Sequence, residues 1–148
     1  MQDWRFADLF AGSGGYGFVA TIGDLISRQK AGKAFMSLDD SELPLKPAKV
    51  VGGTLNAITA NGRLLLFPLA EMPEMSKGRG NKIVELDKKD ALAAVLVNYG
   101  NTLTVEGTGR GGKETKAHID GKALDTYRGK RANKGQFIES KIKPTGIG

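Results

Sequence analysis

The sequence has no cysteine and a single histidine, His118. The first absence excludes a disulfide framework and a thiolate metal site. The second excludes a histidine-based zinc centre and leaves little to build a His-centred catalytic triad around. No apolar run approaches the roughly 18 residues that a spanning helix needs. Met1-Gln2-Asp3-Trp4-Arg5 has none of the features of a signal peptide, so a cytoplasmic protein with no membrane partner is expected. Carboxylates are plentiful but unsuitably placed. Asp39, Asp40 and Glu42 cluster before Pro44, where turn acids belong, with no histidine or metal to make a general acid–base pair. No side chain stands out as a nucleophile. Catalysis by this chain alone, a metal and a cofactor are therefore not expected.

Glycine, by contrast, is abundant. Its 21 occurrences in 148 residues are about twice average usage, and they punctuate short β-branched and apolar runs. Phe18–Ile22, Leu55–Thr59, Arg63–Phe67, Lys82–Leu86 and Thr102–Glu106 each read as a strand bounded by Gly, Asn, Asp or Pro. Ala91–Val97 is too short for a stable helix and reads as a further strand. Asn61-Gly62 between two such runs predicts a type I′ hairpin, because both central positions of that turn need positive φ; Gly14-Gly15 is placed to do the same. Pro44-Leu45-Lys46-Pro47 and Asn98-Tyr99-Gly100-Asn101 mark boundaries, and Lys141–Gly148 is expected to fray.

Two glycine runs imitate nucleotide sites. Gly12-Ser13-Gly14-Gly15-Tyr16-Gly17 and Gly107-Thr108-Gly109-Arg110-Gly111-Gly112 both fit G-x-G-x-x-G. That motif works only where a strand precedes it and a helix N-terminus comes directly after. Gly17 is succeeded by Phe-Val-Ala-Thr-Ile, which reads as strand. Gly107–Lys113 also fits most of a phosphate-binding loop, but Glu114 stands where Ser or Thr should hold magnesium. A flexible basic hairpin is the better reading of it.

The chain also repeats. A glycine, an apolar strand, an acidic-apolar step, a basic glycine-bearing box and a second apolar run occur from Gly15 to Asp39 and again from Gly62 to Asp87. The offset is 47 residues from Gly15 to Gly62 and 48 from Gly32 to Gly80. A degraded third box, Arg128–Ile138, places Gly135 another 55 residues on. A period of roughly 40–50 residues with several strands per unit is the mark of a propeller-like array. Units of about 8–46, 50–97 and 99–142 are expected.

The boxes hold the candidate site. Arg28, Lys30 and Lys33 flank Gly32; Lys77, Arg79 and Lys82 flank Gly78 and Gly80; Arg128, Lys130, Arg131 and Lys134 flank Gly129 and Gly135; Arg63 follows Gly62. The net charge of +6 is uneven, with ten Lys/Arg against five Asp/Glu in residues 99–148. Glycine permits close backbone approach to phosphate and Lys or Arg supplies charge, so a polyanion running along one rim fits these loops. A protein partner with an acidic surface is the alternative.

The sequence around the boxes resembles the C-terminal domain of the A subunit of bacterial DNA topoisomerase IV, related to that of gyrase A. The likeness is carried by Ser13–Phe18, Gly23–Arg28, Ala31–Ala34, Ile58–Pro68 and, most specifically, Met75-Ser-Lys-Gly-Arg-Gly-Asn-Lys-Ile83. It implies an all-β pinwheel of about three four-stranded blades, a fragment of a five- or six-blade domain. It further implies a non-catalytic module that binds duplex DNA without strong sequence preference and presents or bends it. The implied partners are the A subunit's N-terminal cleavage core and the ATPase B subunit, in the bacterial cytoplasm at the nucleoid. Tyr16, Tyr99 and Tyr127 do not stand in the Arg-Tyr-Thr context of the family's cleaving tyrosine. Arg128–Gly135 also departs from the wrapping box of gyrase, which favours weak bending over gyrase-type wrapping.

Overall fold

The computed structural model describes residues 7–21, 38, 42–75, 78–138 and 142–148. They form three antiparallel sheets. The first has the order β3-β1-β2-β6, with β1 Ala7–Ala11, β2 Tyr16–Thr21, β3 Ala48–Lys49 and β6 Asn81–Lys82. The second has the order β10-β5-β4-β7, with β4 Thr54–Thr59, β5 Arg63–Pro68, β7 Leu92–Asn98 and β10 Gln136–Phe137. The third has β11-β8-β9, with β8 Thr102–Thr108, β9 Glu114–Asp120 and β11 Lys143–Ile147. A five-residue helix α1, Gly121–Asp125, follows β9. The all-β, propeller-like expectation holds, with the third sheet three-stranded among the described residues.

Each sheet is built on one hairpin, and each hairpin closes on a left-handed glycine, with Gly111 of the third left-handed as well (φ +77°). Gly15 N–H donates to Gly12 O (3.0 Å), Gly62 N–H to Thr59 O (3.0 Å) and Gly112 N–H to Gly109 O (3.2 Å). The closing glycine has φ of +90°, +97° and +78° in turn. Asn61 and Gly14 do not have positive φ, so the expected type I′ turn is not what forms. A four-residue turn closed by one left-handed glycine replaces it, a geometry that inserts an extra residue and twists the hairpin. Both G-x-G-x-x-G runs are these hairpin turns, each leading into an antiparallel strand.

The second sheet is the middle layer. Leu65 and Phe67 of β5 pack with Leu9, Val19, Leu55, Leu92 and Val97 between the first two sheets. Leu64 and Leu66 pack with Ile58, Leu103, Val105, Leu124 and Ile142 on the other side. A strand covered on both faces has no solvent side to alternate toward, which is why Leu64-Leu65-Leu66-Phe67 reads as an unbroken apolar run. The third sheet is covered on one face, and β9 accordingly alternates, with Ala117 its one buried residue. Strand β7 packs against both β3 and β11, bringing one edge strand of each of the three sheets together.

Two expectations change. Lys82–Leu86 is strand only at Lys82; beyond it the chain leaves the sheet, although Ile83 and Val84 stay buried in the core. Lys143–Ile147 does not fray within the described residues. It pairs with β8, and Gly148 and Thr104 exchange two backbone hydrogen bonds of 2.8 Å. Strand β9 carries no apolar run by which the sequence would announce it.

Candidate nucleic-acid interface

The basic boxes are not free loops. Each of the two described in the structure is stitched to the sheet built by the hairpin of the preceding unit, and the stitches are equivalent. Val19 N–H donates to Pro73 O (2.9 Å), and Met75 N–H donates to Val19 O (2.8 Å). One unit on, Leu66 N–H donates to Tyr127 O (2.9 Å) and Gly129 N–H to Leu66 O (2.8 Å). The chain then arches outward and returns as a short antiparallel strand. Asn81 and Lys82 pair with Gly17 and Tyr16, and Gln136 and Phe137 pair with Leu64 and Arg63. Pairing partners Gly17 and Leu64 are 47 residues apart, and Asn81 and Gln136 are 55 apart. These are the same two offsets that the sequence repeat shows.

The box glycines owe their place to this docking. A Cβ on Gly80 would overlap Gly17 O, and one on Gly135 would lie 2.7 Å from Leu64 O. Both residues have positive φ, +81° and +75°. In place of the phosphate approach expected from the sequence, their close approach is to the neighbouring sheet's backbone.

What the arches expose is basic. The second arch carries Arg79, with Lys82 where it rejoins the sheet; the third carries Lys130, Arg131 and Lys134, with Arg128 at its start. The two arches touch, since Arg131 Nη1 donates to Lys82 O at 2.9 Å and Ala132 N–H donates to Ile83 O at 2.9 Å. The structure thus brings Lys82 and the third box together on adjoining sheet edges. Arg28, Lys30, Lys33 and Lys77 lie outside the described residues.

The cations differ in how they are held. Arg63 is an internal tie: Nε meets Asp87 Oδ2 at 2.5 Å, Nη1 donates to Gly135 O at 3.0 Å, and the guanidinium lies 4.1 Å from the centre of the Phe137 ring. Arg79 stacks 4.3 Å from the Tyr16 ring centre and pairs with the buried Glu42 at 2.7 Å. Lys82 meets Glu85 at 2.5 Å, Arg128 meets Asp125 at 2.8 Å and donates to Gly100 O, and Lys134 meets Asp87 at 3.0 Å. Lys130 is exposed and has no ion-pair partner among the described residues. The hydrogen bond from Lys134, and then that from Arg63, holds the Asp87 carboxyl below the usual carboxylate range. Lys82 does the same to Glu85, and Glu85 in turn raises Lys82. An open cleft of about 270 Å³ runs against the third box, bordered by Tyr127, Arg128, Asn133, Lys134 and Gln136.

Sequence reasoning did not find the tying carboxylates Asp87 and Glu85. Their signal was present, since Glu-Leu-Asp closes the second unit as Leu-Asp closes the first, but an acid beside a basic box reads as a solvated surface residue.

Comparison with known proteins places this arrangement. Residues 57–98 match the family model for the DNA gyrase C-terminal domain, a β-propeller. The A subunit of DNA topoisomerase 4 from Neisseria gonorrhoeae is 34% identical over 137 residues, 88% of this chain and 17% of the relative. Its counterpart in Haemophilus influenzae is 44% identical over 85 residues, 56% of this chain and 11% of the relative. The chain therefore spans less than a fifth of the length of either relative. The C-terminal domain of E. coli ParC superposes with a TM-score of 0.80 at 31% identity, covering 100% of this chain and 62% of that domain. The gyrase A C-terminal domain gives 0.73 at 15%, covering 97% and 49%, a likeness of fold. In fold over its whole length, and in sequence over most of it, this chain is a homologue of the C-terminal domain of the DNA topoisomerase IV A subunit, a non-catalytic part of that enzyme.

Proposed function

We propose that the chain is a duplex-DNA-binding module that holds or gently bends a DNA segment for a type IIA topoisomerase. It acts with the A subunit's cleavage core and with the ATPase B subunit, in the bacterial cytoplasm at the nucleoid. The observation that carries this reading is the contact between successive basic arches, Arg131 on the carbonyl of Lys82. Cations on adjoining sheet edges make a track, and a track of phosphate contacts positions a duplex without reading its bases. Arg79, Lys82, Arg128, Lys130, Arg131 and Lys134 are the proposed contacts, continued by Lys77 and by Arg28, Lys30 and Lys33 of the first box. Arg63 contributes by fixing the third box. The repeating units proposed are 8–46, 50–97 and 99–142, the second and third each giving its box to the sheet before.

The test is fluorescence anisotropy of a labelled duplex over a salt series. With about five phosphates neutralised, log K should fall against log salt with a slope of roughly −4 to −5, equally for unrelated sequences. A flat dependence, or absence of binding at the lowest salt, overturns the reading.

A further inference from the structure

We propose that Asp87 is a built-in competitor for DNA phosphate, holding Lys134 in the free protein and setting how tightly the third box binds. The inference rests on the DNA-binding reading above. Four of the six box cations described in the structure already face a carboxylate: Arg79, Lys82, Arg128 and Lys134. Asp87 holds two cations from two elements. Its Oδ2 takes Arg63 of β5 at 2.5 Å, and its Oδ1 takes Lys134 of the exchanged box at 3.0 Å.

The two partners are unequal. Arg63 is 20% exposed, lies against Phe137 and has a second acceptor in Gly135 O. Lys134 is 57% exposed and its ammonium has Asp87 as its acceptor among the described residues. An exposed lysine is a hydrated point charge on a flexible stem, so it changes partner readily, whereas a planar guanidinium fixed at two points does not. A phosphate arriving at the cleft beside Lys134 can therefore take that ammonium while Asp87 keeps Arg63 and the box stays docked. Until then Asp87 both occupies the lysine and repels the incoming anion.

The test uses the whole chain and a labelled duplex at low salt. Asp87→Asn should tighten binding about three- to tenfold and steepen the salt slope by about one unit, as for one added phosphate contact. Both gains should vanish in the Asp87→Asn, Lys134→Gln double variant relative to Lys134→Gln. Glu114→Gln, at an exposed carboxylate of β9 with no cation partner among the described residues, measures the effect of simply adding positive charge. A gain no larger than that of Glu114→Gln, or one that survives Lys134→Gln, overturns the proposal. Absence of binding by the unmodified chain overturns the DNA-binding reading itself. Should Asp87→Asn unfold the domain, carboxyl NMR of the unmodified chain decides. Duplex should move the titration of Asp87 upward as Lys134 leaves it, and an unmoved titration overturns the proposal.

Discussion

At the scale of single residues, cations that look equivalent in sequence divide into ties and contacts. Arg63 and Lys130 both belong to the basic set, yet one is clamped between Asp87, Gly135 and Phe137 and the other stands in solvent. Arg63→Ala should cost roughly 1–3 kcal/mol of stability, because it removes the donor to the Gly135 carbonyl of the docked box and the packing against Phe137, and leaves Asp87 with Lys134 alone. Lys130→Ala should change stability by less than about 0.5 kcal/mol while weakening DNA binding for all sequences alike and lowering the salt slope by about one. Urea denaturation beside anisotropy on both variants checks the contrast. Equal stability in the two would refute the role assigned to Arg63. The sequence showed all the basic residues but could not sort them, since the sorting partners, Asp87 and Gly135, lie 24 and 72 residues away from Arg63.

At the scale of elements, the decisive feature is that a hairpin and the box that completes its sheet come from different units. Residues 73–75 and 81–83 close the first sheet, and residues 127–138 close the second. The glycines make this possible by letting two backbones approach more closely than a Cβ allows. Gly80→Ala and Gly135→Ala should each destabilise by about 2–4 kcal/mol, through positive φ and overlap with backbone oxygen. Hydrogen exchange localises the damage. In Gly135→Ala the amides of Leu66, Gly129 and Ile138 should lose protection while those of the β8–β9 hairpin keep theirs. Uniform loss of protection would mean that the box is not a separable dock. Strands β2, β4, β5, β7 and β8 were legible from apolar runs and their flanking glycines. Strands β6 and β10 were not, because two residues paired to a distant sheet carry no periodicity of their own.

For the whole molecule, the ion pairs that hold the boxes make stability depend on pH with a definite sign. The carboxyls of Asp87 and Glu85 are depressed in the folded chain, chiefly by hydrogen bonds from Lys134 and Lys82 respectively. A depressed carboxyl contributes stability in full above its unfolded value of about 4, and that contribution is lost as pH falls through its lower folded value. Stability at low salt should therefore be nearly level from pH 7 to about pH 5 and decline below about pH 4. Asp87→Asn should flatten part of the decline. Thermal melts of both proteins from about pH 3 to pH 7 measure it, and identical profiles would show that the Asp87 pair contributes nothing to folding.

The sequence by itself determined that the molecule is a β array of repeating units, because turn glycines and apolar runs act locally and recur at an offset of 47 residues, with the box glycines recurring at 48 and 55. It also determined that each unit carries a basic box. Tertiary structure alone decided where each box goes and which of its charges remain available. Both depend on contacts made across whole units: a described box docks on the sheet built by the hairpin of the preceding unit, and its cations meet carboxylates and carbonyls that only that docking brings within reach.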